Sequence, residues 1–192
     1  MDLQTNKKEL ILKVSRDLFA KFGLKKTTVE EIARFAHIGK GTIYHYFDSK
    51  ERIFAEVIEE EREFLRKRVW EAINREDSPQ GKLKAFLLTK LKYLVQLSNY
   101  YGSLRDKYLE RYAVIEKARR ESFKEELKII KTILEEGVRK AIFSAENLPL
   151  TALAIVSSLR GLEYSLALEE GIWTEDNLEA LLRVLLRGLE RR

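Results

Sequence analysis

The sequence predicts an all-α protein: an N-terminal three-helix domain with a helix-turn-helix, followed by a larger C-terminal helical bundle. Three observations carry that reading. Apolar residues recur at three- and four-residue spacings along most of the chain, as they do on helices with one buried face. No segment alternates apolar and polar residues as half-buried strands do. Gly23, Gly39, Pro79, Gly102, Pro149 and Gly171 fall between the periodic stretches, which divides the chain into about nine helices. Domain boundaries are expected at 1–48 and 49–192.

The first helix is expected over residues 6–22, with Asn6 and Glu9 at its start. Leu10, Val14, Leu18 and Phe22 repeat every four residues beside Ile11 and Phe19, and Gly23 suits the position after the helix end. Thr27 or Thr28 caps the second helix, because each has a glutamate three residues on, Glu30 and Glu31. Val29, Ile32, Ala33 and Ala36 form its apolar face. Gly39 opens the third helix, in which Ile43 and Phe47 point inward and Thr42, Tyr44, His45 and Tyr46 face outward. An exposed set of aromatics, a hydroxyl and a basic group is poor core material and suits a helix that enters a DNA groove. Charge agrees. Residues 1–50 hold ten Lys/Arg against six Asp/Glu, while the remainder holds 26 against 25, so most of the net +5 lies in the first quarter. Lys7, Lys8, Lys25 and Lys26 are candidate phosphate partners.

The run GKGTIYHYFDSKERIF resembles the signature of the tetracycline-repressor (TetR) family of bacterial transcriptional regulators, and the resemblance covers about residues 7–60. Two positions depart from the common pattern: His37 stands where a glycine is usual in the turn, and Gly39 where a serine often caps the recognition helix. The resemblance implies a homodimer on a palindromic operator, each subunit inserting residues 40–47 into the major groove. It assigns Lys40, Thr42, Tyr44 and His45, with Gly41 among them, to the base-contacting surface. Thr28, Tyr46 and Lys50 are assigned to DNA phosphates. It also implies repression relieved by a small hydrophobic or amphipathic effector. A regulator gated by a protein partner, or by its own abundance, is the alternative.

Asp48 or Ser49 caps the fourth helix, which should run to about Asn74 through Phe54, Ile58, Phe64, Leu65, Val69 and Trp70. Pro79 begins a fifth, reaching about Ser98, with Leu83, Phe86 and Leu87 inside. A short helix follows at about 103–112, and a long one at about 114–143. Residues 149–170 are apolar nearly all round, so that helix should be buried on more than one side. Together with the leucine-rich last helix, 174–189, it is expected to form the dimer interface, through Ala154, Ser158, Gly161, Leu178, Leu182 and Leu185.

Aromatic residues concentrate in the body. Trp70, Phe86, Tyr93, Tyr101, Tyr108, Tyr112, Phe123 and Tyr164, with Arg160 as a polar contact, are the candidate lining of an effector pocket. Arg160 pairs either with Glu163, three residues on, or with a ligand anion. No phosphate-binding glycine loop, nucleophile elbow or zinc-binding H-E-x-x-H motif is present, so no enzyme, metal or cofactor is expected. Cysteine is absent, no apolar run is long enough to span a bilayer, and the first residues lack a signal-peptide core. A cytoplasmic location without membrane contact is expected.

Overall fold

The computed structural model describes residues 3–93, 96, 97, 99, 113–166 and 175–189. Among them are eight helices: α1 (Leu3–Lys26), α2 (Val29–Phe35), α3 (Lys40–Tyr46), α4 (Lys50–Ile73), α5 (Pro79–Tyr93), α6 (Ala113–Arg139), α7 (Leu148–Leu166) and α8 (Glu175–Leu189). The all-α expectation holds for these residues. The short helix expected at 103–112 lies outside them, as do Tyr101, Tyr108 and Tyr112. The chain forms two compact units, residues 1–63 with 97–119, and residues 64–96 with 120–192.

In the first unit, α1 starts at Leu3 rather than Asn6, so Asn6 is inside the helix and not its cap. Its buried side is also turned from the expected one. Ile11, Leu12, Ser15, Leu18 and Phe19 are buried, whereas Leu10 and Phe22 are exposed. The two faces share Ile11, Leu18 and Phe19, which is why spacing alone does not separate them. Gly23 takes φ +76 and interrupts the helix as a C-terminal glycine does, and one further turn follows. The core of this unit takes in the start of α4: Ile53, Phe54, Val57 and Ile58 are buried, and Phe54 meets Phe19 edge to face at 5.0 Å. Residue 49 onward therefore contributes to the reader's own packing. Ser49, not Asp48, caps α4, its hydroxyl accepting from the Arg52 N–H at 3.1 Å.

In the second unit, Leu83, Phe86 and Leu87 of α5 are buried, with Ile129, Ile130, Ile133 and Leu134 of α6 and Ala152, Ile155, Val156 and Leu159 of α7. Glu136 ties α5 to α6, receiving Lys82 at 2.7 Å and Lys140 at 2.8 Å. Phe64 and Trp70, expected inside, are partly exposed, and Phe64 packs edge to face on Tyr93 at 5.4 Å. The helix expected to reach residue 98 is described to Tyr93, and Gln96 and Leu97 lie in a turn.

The long helix α6 stops at Arg139, four residues short of expectation, because the chain folds back on itself. Ile142 and Phe143 both donate backbone N–H bonds to the Gly137 carbonyl, at 2.9 and 3.1 Å, and Ala141 takes φ +56. That turn lays the buried Phe143 ring on Gly137, where a Cβ would come within 2.0 Å of the ring. Gly137→Ala should therefore destabilise by about 2 kcal/mol, overpacking outweighing the roughly 1 kcal/mol that alanine gains in a helix. A thermal melt unchanged from wild type would refute this packing.

Within one chain, the described side chains of α7 are covered on one side. Leu150, Leu153, Ala154, Ser157, Ser158 and Gly161 form an exposed stripe. Asn147 starts the helix, its side-chain carbonyl accepting from the Leu150 N–H at 3.0 Å. On α8 Leu182 is buried within the chain and Val184 is exposed. The side chains of Leu178 and Leu185 are not among those described.

Candidate nucleic-acid interface

The site is built by α2, the turn after it, and α3. Thr28 is the cap. Its hydroxyl accepts from the Glu31 N–H at 3.2 Å, and Glu31 accepts from the Thr28 N–H at 2.9 Å. The Thr28 N–H and the Thr28 hydroxyl, which donates to the same carboxylate at 3.0 Å, hold the Glu31 carboxyl below its ordinary range, the backbone bond contributing most. Thr27 has another role. It is buried and donates to the Gly23 carbonyl at 2.9 Å, closing the end of α1.

His37 adopts φ +52, the left-handed conformation that the turn needs and that a glycine would take more easily. Gly39 precedes α3 in an extended conformation without a side-chain cap. The α3 helix is then anchored by Ile43 and Phe47, both buried. This leaves Lys40, Gly41, Tyr44 and His45 exposed, and Thr42 and Tyr46 half-buried. Tyr44 is 48% exposed. His45 and Tyr46 meet edge to face at 5.0 Å.

Several charged groups have partners that sequence spacing does not show. Lys40 bonds Glu30 across the turn and lies over the Tyr44 ring at 5.6 Å. The hydrogen bond to Glu30 is the main reason the Lys40 ammonium titrates above its usual range, and it lowers Glu30 correspondingly. Glu30 was readable only as part of a capping pattern. Lys50 is half-buried and donates to the Thr27 carbonyl at 2.7 Å, which ties α4 to the start of α2. Lys8 bonds Glu56 and lies over Phe47, so its ammonium is engaged inside the unit.

In the second unit the candidate pocket residues divide. Phe86 is buried, Phe123 and Tyr93 are half-buried, Trp70 is exposed, and the side chain of Tyr164 is not among those described. Arg160 has a partner other than the expected Glu163, whose side chain is likewise not described. Its guanidinium is 3.4 Å from Glu126, 3.5 Å from the Ser122 hydroxyl, and 4.7 Å from the Phe123 ring centroid. Glu126 is buried and also takes the buried Lys90 at 2.9 Å. Sequence reading missed this group, although a signal existed: Lys90 falls in register with Leu83, Phe86 and Leu87, and Glu126 with Phe123 and Ile130. Charges at core positions of a helical pattern ask for a partner.

Among the described residues no group of three metal-ligating side chains occurs, and no helix is long and apolar enough to cross a membrane.

Residues 11–57 match the family model of bacterial regulatory proteins, tetR family. An uncharacterized HTH-type transcriptional regulator, YhgD of Bacillus subtilis, is 42% identical over 55 residues, 29% of each chain. The HTH-type transcriptional repressor KstR2 of Mycolicibacterium smegmatis is 32% identical over 87 residues, 45% of this chain and 42% of that one. The chain thus matches less than half the length of either relative. A transcriptional regulator from Cytophaga hutchinsonii shares the fold over 95% of this chain and 98% of its own, with a TM-score of 0.74 and 24% identity. The matched segment is the one that builds α2, the turn and α3, and over it the chain is similar to the tetR family of bacterial regulatory proteins.

Proposed function

We propose that this chain is a cytoplasmic transcriptional repressor that binds a palindromic DNA operator as a homodimer and is released by a small amphipathic effector. The observation that carries the reading is the outward face of α3. Lys40, Tyr44 and His45 stand exposed on a helix whose other side is fixed by Ile43 and Phe47. Such a helix can enter the major groove while the scaffold behind it sets its angle. Thr28, with the start of α2, is assigned to a phosphate. Lys50 is assigned a second part: its bond to Thr27 holds the α2 start in position, whether or not a phosphate also reaches it.

Two protomers are proposed because α7 and α8 leave apolar surface open. The α7 stripe of Leu150, Leu153, Ala154, Ser157, Ser158 and Gly161 combines leucines with small residues that allow close helix approach, and Val184 is open on α8. Repression is supported by the Mycolicibacterium smegmatis relative, itself a transcriptional repressor. The effector must favour the conformation that fits DNA less well, since a ligand with equal affinity for both shifts nothing.

Tyr44→Ala tests the reading. It removes an exposed side chain, so the melting temperature should hold. Operator affinity should fall roughly tenfold or more, on the scale of one lost base contact. Wild-type affinity for a defined operator would mean that α3 is not the reader.

A further inference from the structure

We propose that Arg160 is the anion-recognising group of the effector site and that the effector is an amphipathic carboxylate. The proposal rests on the reading of the second unit as ligand-binding and names the class of ligand.

Three charges meet at α5, α6 and α7. Lys90 is the tightly held cation, 2.9 Å from Glu126, and its side chain is 2% exposed. Arg160 is held differently. Its three polar contacts, two to Glu126 at 3.4 Å and one to Ser122 at 3.5 Å, are long for bonds between charged groups, which settle at about 2.7–2.9 Å. Its side chain is 23% exposed, against 9% for Glu126. Of the three, Arg160 is the most exposed, and its donors are not committed at short distance.

The guanidinium is also oriented. It lies over the Phe123 ring with 4.7 Å to the centroid, which holds the planar fork in place before an anion arrives. Phe123 is half-buried and offers apolar surface beside the charge, as the body of an amphipathic ligand requires. Burial pushes the Glu126 carboxyl up, but Lys90 and then Arg160 outweigh it and hold the group ionised. Glu126 therefore stays an acceptor and keeps the Arg160 donors turned to one side. A buried ion group of this kind is seldom more stabilising than apolar residues of the same volume, so stability alone does not account for it. Nε and Nη2 are turned to Glu126, and Nη2 also to Ser122, which leaves the Nη1 edge for a single monoanion. A phosphate dianion would call on a second cation, and Lys90 is drawn to Glu126. Hence a carboxylate.

The test uses the full chain without DNA and three probes with the same tail: dodecanoate, dodecanol and dodecyl phosphate, titrated calorimetrically. Wild type should bind dodecanoate about tenfold or more tighter than dodecanol, one charge-assisted pair being worth that much. Arg160→Met should bring the ratio close to one, and Arg160→Lys, which keeps the charge but not the fork, should restore part of it. Lys90 still neutralises Glu126 in these variants, so they should fold; melting curves check this. The proposal is overturned if the ratio is near one in wild type, if Arg160→Met preserves it, or if no probe binds. Tighter binding of dodecyl phosphate would overturn the choice of carboxylate. Each of these failures leaves operator binding, measured separately, untouched.

Discussion

Leu182→Glu is expected to unfold the second unit, whereas Val184→Glu, two residues further along α8, is expected to leave it folded and separate the protomers. Leu182 is 4% exposed within a single chain, so glutamate there loses the burial of a leucine and places a carboxylate in apolar surroundings. The two penalties together exceed about 4 kcal/mol, comparable to the whole stability of a marginal domain. Val184 is 70% exposed in the single chain, and a charge there costs the monomer little. In a dimer that covers α7 and α8 the same charge is desolvated on both copies. Sedimentation at micromolar concentration should show a dimer for wild type and a folded monomer for Val184→Glu. The same result is expected for Ala154→Arg on the α7 stripe. A folded, soluble Leu182→Glu protein would contradict the packing described for α8. A monomeric wild type would remove the dimer.

Glu126→Leu should cost about 3–5 kcal/mol, because it removes a carboxylate that lies 2.9 Å from Lys90 in the interior. The pH dependence has a definite sign. The folded carboxyl titrates below its unfolded value, so its contribution is fully present above the ordinary carboxylate range and is lost as pH falls through the lower folded value. Wild type should lose stability in acid, below about pH 4, while Glu126→Leu, already weakened at neutral pH, should lose less there. Equal acid sensitivity in the two proteins would show that Glu126 is not a determinant.

Much of the reader was legible in the sequence because its signals are local. A threonine with a glutamate three residues on can be read as a cap, and Ile43 and Phe47 four apart define an inward face without knowledge of what they face. What was not legible depends on contacts between elements. The periodicity of α1 marks Ile11, Leu18 and Phe19 correctly, but only packing against α4 selects Leu12 and Ser15 over Leu10 and Phe22. The end of α6 depends on Phe143 returning to Gly137, a contact that no helical period announces. Leu182 and Val184 belong to one leucine-rich run, and the neighbours of α8 decide which is core and which is open. In the body, aromatic residues suggested a lining, but the group that the structure assembles is ionic: Lys90, Glu126 and Arg160 come from three helices far apart in sequence.

The measurement that bears most directly on the central claim is binding of the purified chain to DNA from beside its own gene, titrated against salt and against unrelated duplex. The account predicts a protected palindrome with half-sites about one helical turn apart or a multiple of it, bound by an even number of protomers. Affinity should fall steeply as salt rises, and preference over unrelated DNA should be lost in Tyr44→Ala. Equal affinity for all duplexes, with Tyr44→Ala indistinguishable from wild type, would contradict it.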